Sequence, residues 1–176
     1  MSSKFCGKII VLNIDLDKDF INEIETDYFV IDETVIKNIY KPREEFSHKG
    51  TFGKSILVGG SYGKMGAILM SSLSALKTGS GLTFTIAPEC GNVILQSQIP
   101  EVMFIGSGGN YIDKIEIQDK AVYGIGPGLG KEIETQKALL EFLENYKNAV
   151  VLDADALNIL AENQNLNLIP KNSVIT

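Results

Sequence analysis

The chain has 176 residues, 44% hydrophobic and 22% charged, an ordinary globular balance that argues against global disorder and allows one domain with a substantial core. Its 16 basic and 22 acidic residues leave a net charge of −6, which argues against a nucleic-acid or anionic-membrane surface, because both want a basic face. Two cysteines, Cys6 and Cys90, with no CxxC and no Cys/His cluster, point away from a disulfide framework or structural zinc and toward a reduced protein.

Residues 7–14 form a short β-like run, followed by the acidic stretch Asp15, Asp17, Asp19, Glu23, Glu25 and Asp27. Residues 28–31 are apolar again, so the first 30 residues read as a peripheral hairpin or a tail from another domain. The apolar run near the amino terminus is too short for a secretory leader, and no stretch reaches the roughly 20 apolar residues that span a bilayer. A cytoplasmic protein is therefore expected. Residues 38–50 are polar, contain Pro42 and read as a surface loop.

From Lys54 the pattern becomes regular. Residues 55–58 are a short strand ending in Gly59-Gly60, and a loop follows to Gly66. Residues 67–77 show helical spacing through Leu69, Leu73 and Leu76, with Gly79 as the stop. Strands are expected at 81–87, 101–105 and 120–125, the last running into Gly126-Pro127-Gly128-Leu129-Gly130. Residues 133–146 are a helix with Leu139, Phe142, Leu143 and Tyr146 on one face. The all-apolar run 149–152 reads as a strand buried on both faces, and 153–160 turns from it into another helix. A further strand begins at Ser173. Alternating strands and helices predict an α/β fold with a mostly parallel sheet. A chain that stops at Thr176, inside a strand, is expected to be part of a larger domain, incomplete at the carboxyl end.

In such sheets ligands bind outside the carboxyl ends of the strands. Three segments reach that edge. The first, 59–66, is a glycine-rich strand-to-helix loop able to bring backbone N–H groups to an anion, or simply a tight turn. It is neither a Walker A loop, since Val58 and Met65 stand where Gly and Ser/Thr belong, nor a GxGxxG. The second carries Gly126, Gly128 and Gly130, which suit a backbone curled around a bulky ligand or a structural bend. A side chain at Gly128 is expected to obstruct ligand more than it lowers stability. The third carries Asp153 and Asp155, which can bind Mg²⁺ through waters, orient a substrate hydroxyl or cap the next helix. His48, the only histidine, sits in a polar loop and reads as solvated surface.

His48-Lys49-Gly50, the run from Gly60 through Ser61, Lys64 and Gly66 to Ala67, Gly126-Pro127-Gly128-Leu129-Gly130 and Asp153-Ala154-Asp155-Ala156-Leu157 occur together in this order. The chain resembles the ADP/ATP-dependent NAD(P)H-hydrate dehydratases over about residues 46–176. The resemblance implies a ribokinase-like three-layer α/β sandwich, with 1–30 matching the end of an epimerase domain, 31–47 a connector and 48–176 the first part of the dehydratase domain. It also implies a repair reaction: ATP or ADP, with Mg²⁺, phosphorylates the ring hydroxyl of hydrated NADH or NADPH, and loss of phosphate regenerates NAD(P)H.

By the same resemblance, the substrate-binding candidates are Gly66, Ala67, Gly126, Gly128, Gly130, Asp153 and Asp155. No catalytic residue and no resident metal ligand is assigned. The family's nucleotide loop and general base lie beyond the match, so the 176 residues alone are expected to be inactive. The partners implied are the small-molecule hydrate and further copies of the chain in a homo-oligomer, with no nucleic acid and no membrane. Two other functions stand beside this one. A ribokinase-like small-alcohol or vitamin-precursor kinase uses the same logic of phosphoryl transfer to a hydroxyl. A non-catalytic nucleotide-binding module ending at Thr176 is the other.

Overall fold

The computed structural model describes Gly7, Ile10, Leu12 and residues 14–176. Cys6 and most of the β-like run expected at 7–14 lie outside the described residues. The chain divides into two compact units, Met1–Glu44 and Glu45–Thr176.

In the first unit the described residues form two short helices, α1 (Lys18–Glu23) within the acidic stretch read as hairpin or tail, and α2 (Glu33–Ile39) within the segment expected as a connector. Asp17 accepts the N–H groups of Asp19 and Phe20, and Asp32 those of Thr34 and Val35, so both aspartates act as N-caps. Neither helix buries a residue.

The second unit alternates strands and helices: β1 (Lys54–Val58), α3 (Met65–Lys77), β2 (Leu82–Ala87), α4 (Asn92–Gln98), β3 (Met103–Gly106), β4 (Val122–Ile125), α5 (Ile133–Asn145), β5 (Val151–Leu152), α6 (Asp155–Glu162) and β6 (Val174–Ile175). The strands form one sheet in the order β3-β2-β1-β4-β5-β6, every pair parallel. Because order reverses between β1 and β4, their carboxyl ends diverge into a crevice, the usual ligand position in open α/β sheets.

Register fixes what each face carries. Ile105, Ile86, Val58, Ile125 and Leu152 stand in one row across the sheet, and they pack with Leu139, Phe142 and Leu143 of α5 and Ile159 and Leu160 of α6. Tyr123, fully buried, meets Phe142 in a tilted contact and Tyr146 edge-on, at centroid distances of 4.8 and 5.0 Å. The opposite row runs Phe104, Thr85, Leu57, Gly124, Val151, Val174. Here α3 and α4 cover the β3-to-β1 half through Met65, Ile68, Leu95 and Leu69. Helices on both faces of a parallel sheet make three layers. Toward β6 this second row emerges, and Val174 is 52% exposed.

Three expectations need correction. Helix α3 starts at Met65, which puts Gly66 and Ala67 in its first turn. Its deepest stripe is Met65, Ile68 and Ser72, one position off the leucine stripe, which is only half-buried. Ser72 permits the close approach because its hydroxyl bonds both Ile68 O at 2.8 Å and Thr85 Oγ1 at 2.7 Å. Third, α4 was not legible in the sequence. It is a seven-residue helix without a side-chain cap, and Cys90 lies in the 3-10 turn Glu89–Gly91 that leads into it. No helix among the described residues is long and apolar enough to cross a membrane.

Candidate functional site

The loops after β1 and β4 are stitched together at the switch point. Gly126 N–H donates to Val58 O at 3.0 Å, Gly60 N–H to Pro127 O at 2.9 Å, and the buried Ser61 hydroxyl to Gly128 O at 2.9 Å. The second loop is a turn closed by Leu129 N–H on Gly126 O at 3.0 Å. Pro127 and Gly128 are its central residues, and Gly128 has φ +64°, the backbone that a type II Pro-Gly turn demands. Leu129, fully buried, anchors the turn in the core. That Pro-Gly signal was available in the sequence. The pairing of the two loops was not.

Glycine at 126 has a steric cause as well. Its φ is +135°, and a Cβ there would collide with the Asp153 carbonyl. This contact brings the end of β5 against the end of β4. At Gly128 a Cβ would sit 2.5 Å from Lys64 O, so the expected separation of ligand effect from stability effect fails there: any side chain disturbs the fold first.

The third segment turns sharply. Asp153 N–H donates to Ile125 O at 3.0 Å, and Asp153 O accepts from Ala156 N–H at 3.1 Å. Between them Ala154, exposed and not glycine, is held at φ +48°, ψ −120°. Such strain costs on the order of 1–3 kcal/mol and gathers at functional sites. Asp155 Oδ2 accepts the Gly130 N–H at 3.0 Å, and Oδ1 accepts from Asn158 Nδ2 at 3.3 Å. Nearby, the exposed Lys131–Glu162 ion pair holds the Lys131 ammonium above its ordinary pKa through the hydrogen bond and charge of Glu162.

All seven candidate residues, Gly66, Ala67, Gly126, Gly128, Gly130, Asp153 and Asp155, thus come to one edge of the sheet. His48 does not. It lies before β1 at the opposite edge, exposed, where its Nδ1 accepts the Gly50 N–H at 3.1 Å as a turn cap. The site opens into a groove of about 470 Å³ on the half-covered face, between α3 and the β4–β6 side. Ala67, Pro127, Asp153 and Thr176 line its upper end, and Leu57, Gly124 and Met70 its apolar floor and wall. Helix α3 has no side-chain N-cap, which leaves first-turn N–H groups with a partial positive charge beside the loops. A second groove of similar size, about 490 Å³, lies against α5, where Lys114 and Glu116 form an exposed ion pair. Its lining comes from the β3–β4 connection and α5, and none of the seven candidate residues is in it.

This arrangement defines an α/β protein with a paired-glycine-loop site at the switch point. A family profile described as NAD(P)H-hydrate dehydratase matches residues 55–176, and the chain belongs to that family. It is 36% identical to an ADP-dependent (S)-NAD(P)H-hydrate dehydratase of Streptococcus thermophilus over 146 residues, covering 80% of this chain and 51% of that protein. Among solved structures, a ribokinase-like superfamily protein from Enterococcus faecalis superimposes with a TM-score of 0.64 at 25% identity, over 80% of this chain and 52% of that one. The ADP/ATP-dependent NAD(P)H-hydrate dehydratase of Bacillus subtilis, co-crystallized with ATP/Mg²⁺, gives a TM-score of 0.57 at 29% identity, over 66% of this chain and 42% of that one. The fold is ribokinase-like. The chain spans between 23% and 51% of the length of the curated relatives it matches.

Proposed function

We propose that the protein containing this chain removes water from hydrated NADH and NADPH at the expense of ATP or ADP, and that these residues supply the part of the site that holds the hydrated cofactor. The observation that carries the reading is the meeting of the two glycine loops at the switch point, in a chain of the dehydratase family. Ala67 and Pro127 line the groove, and Gly66, Gly126, Gly128 and Gly130 complete the proposed substrate-binding set around them. Asp153 and Asp155 belong to the same site. Phosphates suit the uncapped start of α3, where N–H groups and the helix dipole favour negative charge.

In the reaction, the hydroxyl oxygen on C6 of the reduced ring attacks the terminal phosphoryl group and gives up its proton, as the bond from that phosphorus to the nucleotide breaks and ADP or AMP leaves. Phosphate then departs from C6 as a proton leaves C5, which restores the C5=C6 double bond. Hydroxide is a poor leaving group and phosphate a good one, so the nucleotide is a co-substrate. Mg²⁺ would enter with the nucleotide and would offset the charge on its phosphates. The dehydratase domain is proposed to span 48–176 and onward, after a connector at 31–47 and an epimerase-like tail at 1–30. A cytoplasmic homo-oligomer completes the proposal.

The polypeptide of the complete reading frame, given hydrated NADH, Mg²⁺ and ATP or ADP, is expected to restore the reduced-nicotinamide absorbance. Omission of the nucleotide stops the recovery. A protein that phosphorylates a vitamin precursor or small alcohol yet leaves hydrated NADH untouched refutes the proposal.

A further inference from the structure

Two carboxylates stand one residue apart on the β5–α6 turn, and their surroundings differ. The carboxylate of Asp155 is occupied by its own chain, by the Gly130 N–H at 3.0 Å and the Asn158 amide at 3.3 Å. Twenty-five residues separate Asp155 from Gly130, so the bond ties the far end of the glycine turn to the start of α6. Asp153 is half-buried and lines the upper end of the groove beside Ala67 and Pro127. Its main chain is fixed by its bonds to Ile125 and Ala156 and by its packing on Gly126. Its carboxylate has no hydrogen-bond partner among the described residues. The strained Ala154 between them produces this split, since a regular helical or extended backbone would not reverse so tightly.

We infer that the two aspartates divide the work: Asp153 meets the ligand, and Asp155 is a positioning residue that holds the glycine turn. The inference rests on the function proposed above. A carboxylate in the groove accepts hydrogen bonds and repels anions, so Asp153 receives a hydroxyl or carboxamide N–H of the hydrated nicotinamide riboside. Asp155 touches no substrate. By holding Gly130 N–H it sets where the 126–130 main chain stands.

The test compares Asp153→Ala, Asp155→Ala and Asp155→Asn in the complete polypeptide, reading melting temperature, KM for hydrated NADH and KM for ATP. Asp153→Ala is expected to leave the melting temperature within about a degree of wild type and to raise KM for hydrated NADH about tenfold or more, with KM for ATP unchanged. Asp155→Ala lowers both the melting temperature and kcat/KM, and Asp155→Asn, which keeps an acceptor oxygen for Gly130, recovers most of the loss. An active wild type whose KM for hydrated NADH is unmoved by Asp153→Ala overturns this inference alone. So does an Asp155→Ala variant as stable and active as wild type. A wild type that ignores hydrated NADH overturns the inference together with the function on which it rests.

Discussion

Gly66 lies in the first turn of α3, has no left-handed backbone, and would meet nothing within 4 Å if given a Cβ. Nothing in the fold demands glycine there, which contrasts with Gly126 and Gly128. A glycine within a helix costs about 0.5–1 kcal/mol relative to alanine. Gly66→Ala should therefore raise the urea midpoint slightly while raising KM for hydrated NADH several-fold. A variant that gains stability with no change in KM removes Gly66 from the site. The glycine spacing alone could not separate these cases, because glycines required by φ, by a neighbouring carbonyl or by a ligand look alike in sequence. The Asp155–Gly130 bond was hidden for a similar reason: its partners are distant in sequence and meet only when β4 and β5 pair.

At the scale of elements, strands β1, β2 and β4 and helix α5 were legible, the strands because each is an apolar run with a glycine or proline stop, and α5 because its apolar period matches a helix. Helix α3 was legible as a helix, but its buried face was not. Its contact with the sheet runs through a serine, which no hydrophobic stripe announces. Ser72→Ala should cost about 1–3 kcal/mol in chemical denaturation, because Thr85 loses its buried partner. A change below about 0.5 kcal/mol means that the Ser72–Thr85 bond does not fasten α3 to β2.

Tyr123 anchors the other layer. Its hydroxyl donates to Glu116 O at 2.9 Å and accepts Gln118 N–H at 2.7 Å, which pins the long 107–120 connection beneath α5. Burial pushes its phenol above the ordinary tyrosine value, against the opposing pull of the Gln118 N–H. A folded-state pKa above the unfolded one means the neutral form is favoured by folding. That stability is complete below about pH 10, where unfolded tyrosine titrates, and is lost as pH rises through the folded value. Tyr123→Phe should lower stability at neutral pH and flatten the decline above about pH 10. An unchanged alkaline slope contradicts the assignment.

Across the whole second unit, one sheet organises everything. Its α5/α6 face is closed by the main core, its other face is covered from β3 to β1 and open toward β6, and the order reversal gathers both glycine loops at the open side. The proposed function is therefore one of place: hydrated NADH is proposed to bind at the carboxyl edge between β1, β4 and β5. The measurement that tests it is an amide-resolved NMR titration of the 176-residue chain with hydrated NADH, which registers binding even when it is weak. Shifts should concentrate at 59–67, 126–130, 153–155 and Thr176, and leave 48–53 at the opposite edge unmoved. Shifts centred on 114–117 and α5, or none at saturating ligand, would contradict the account.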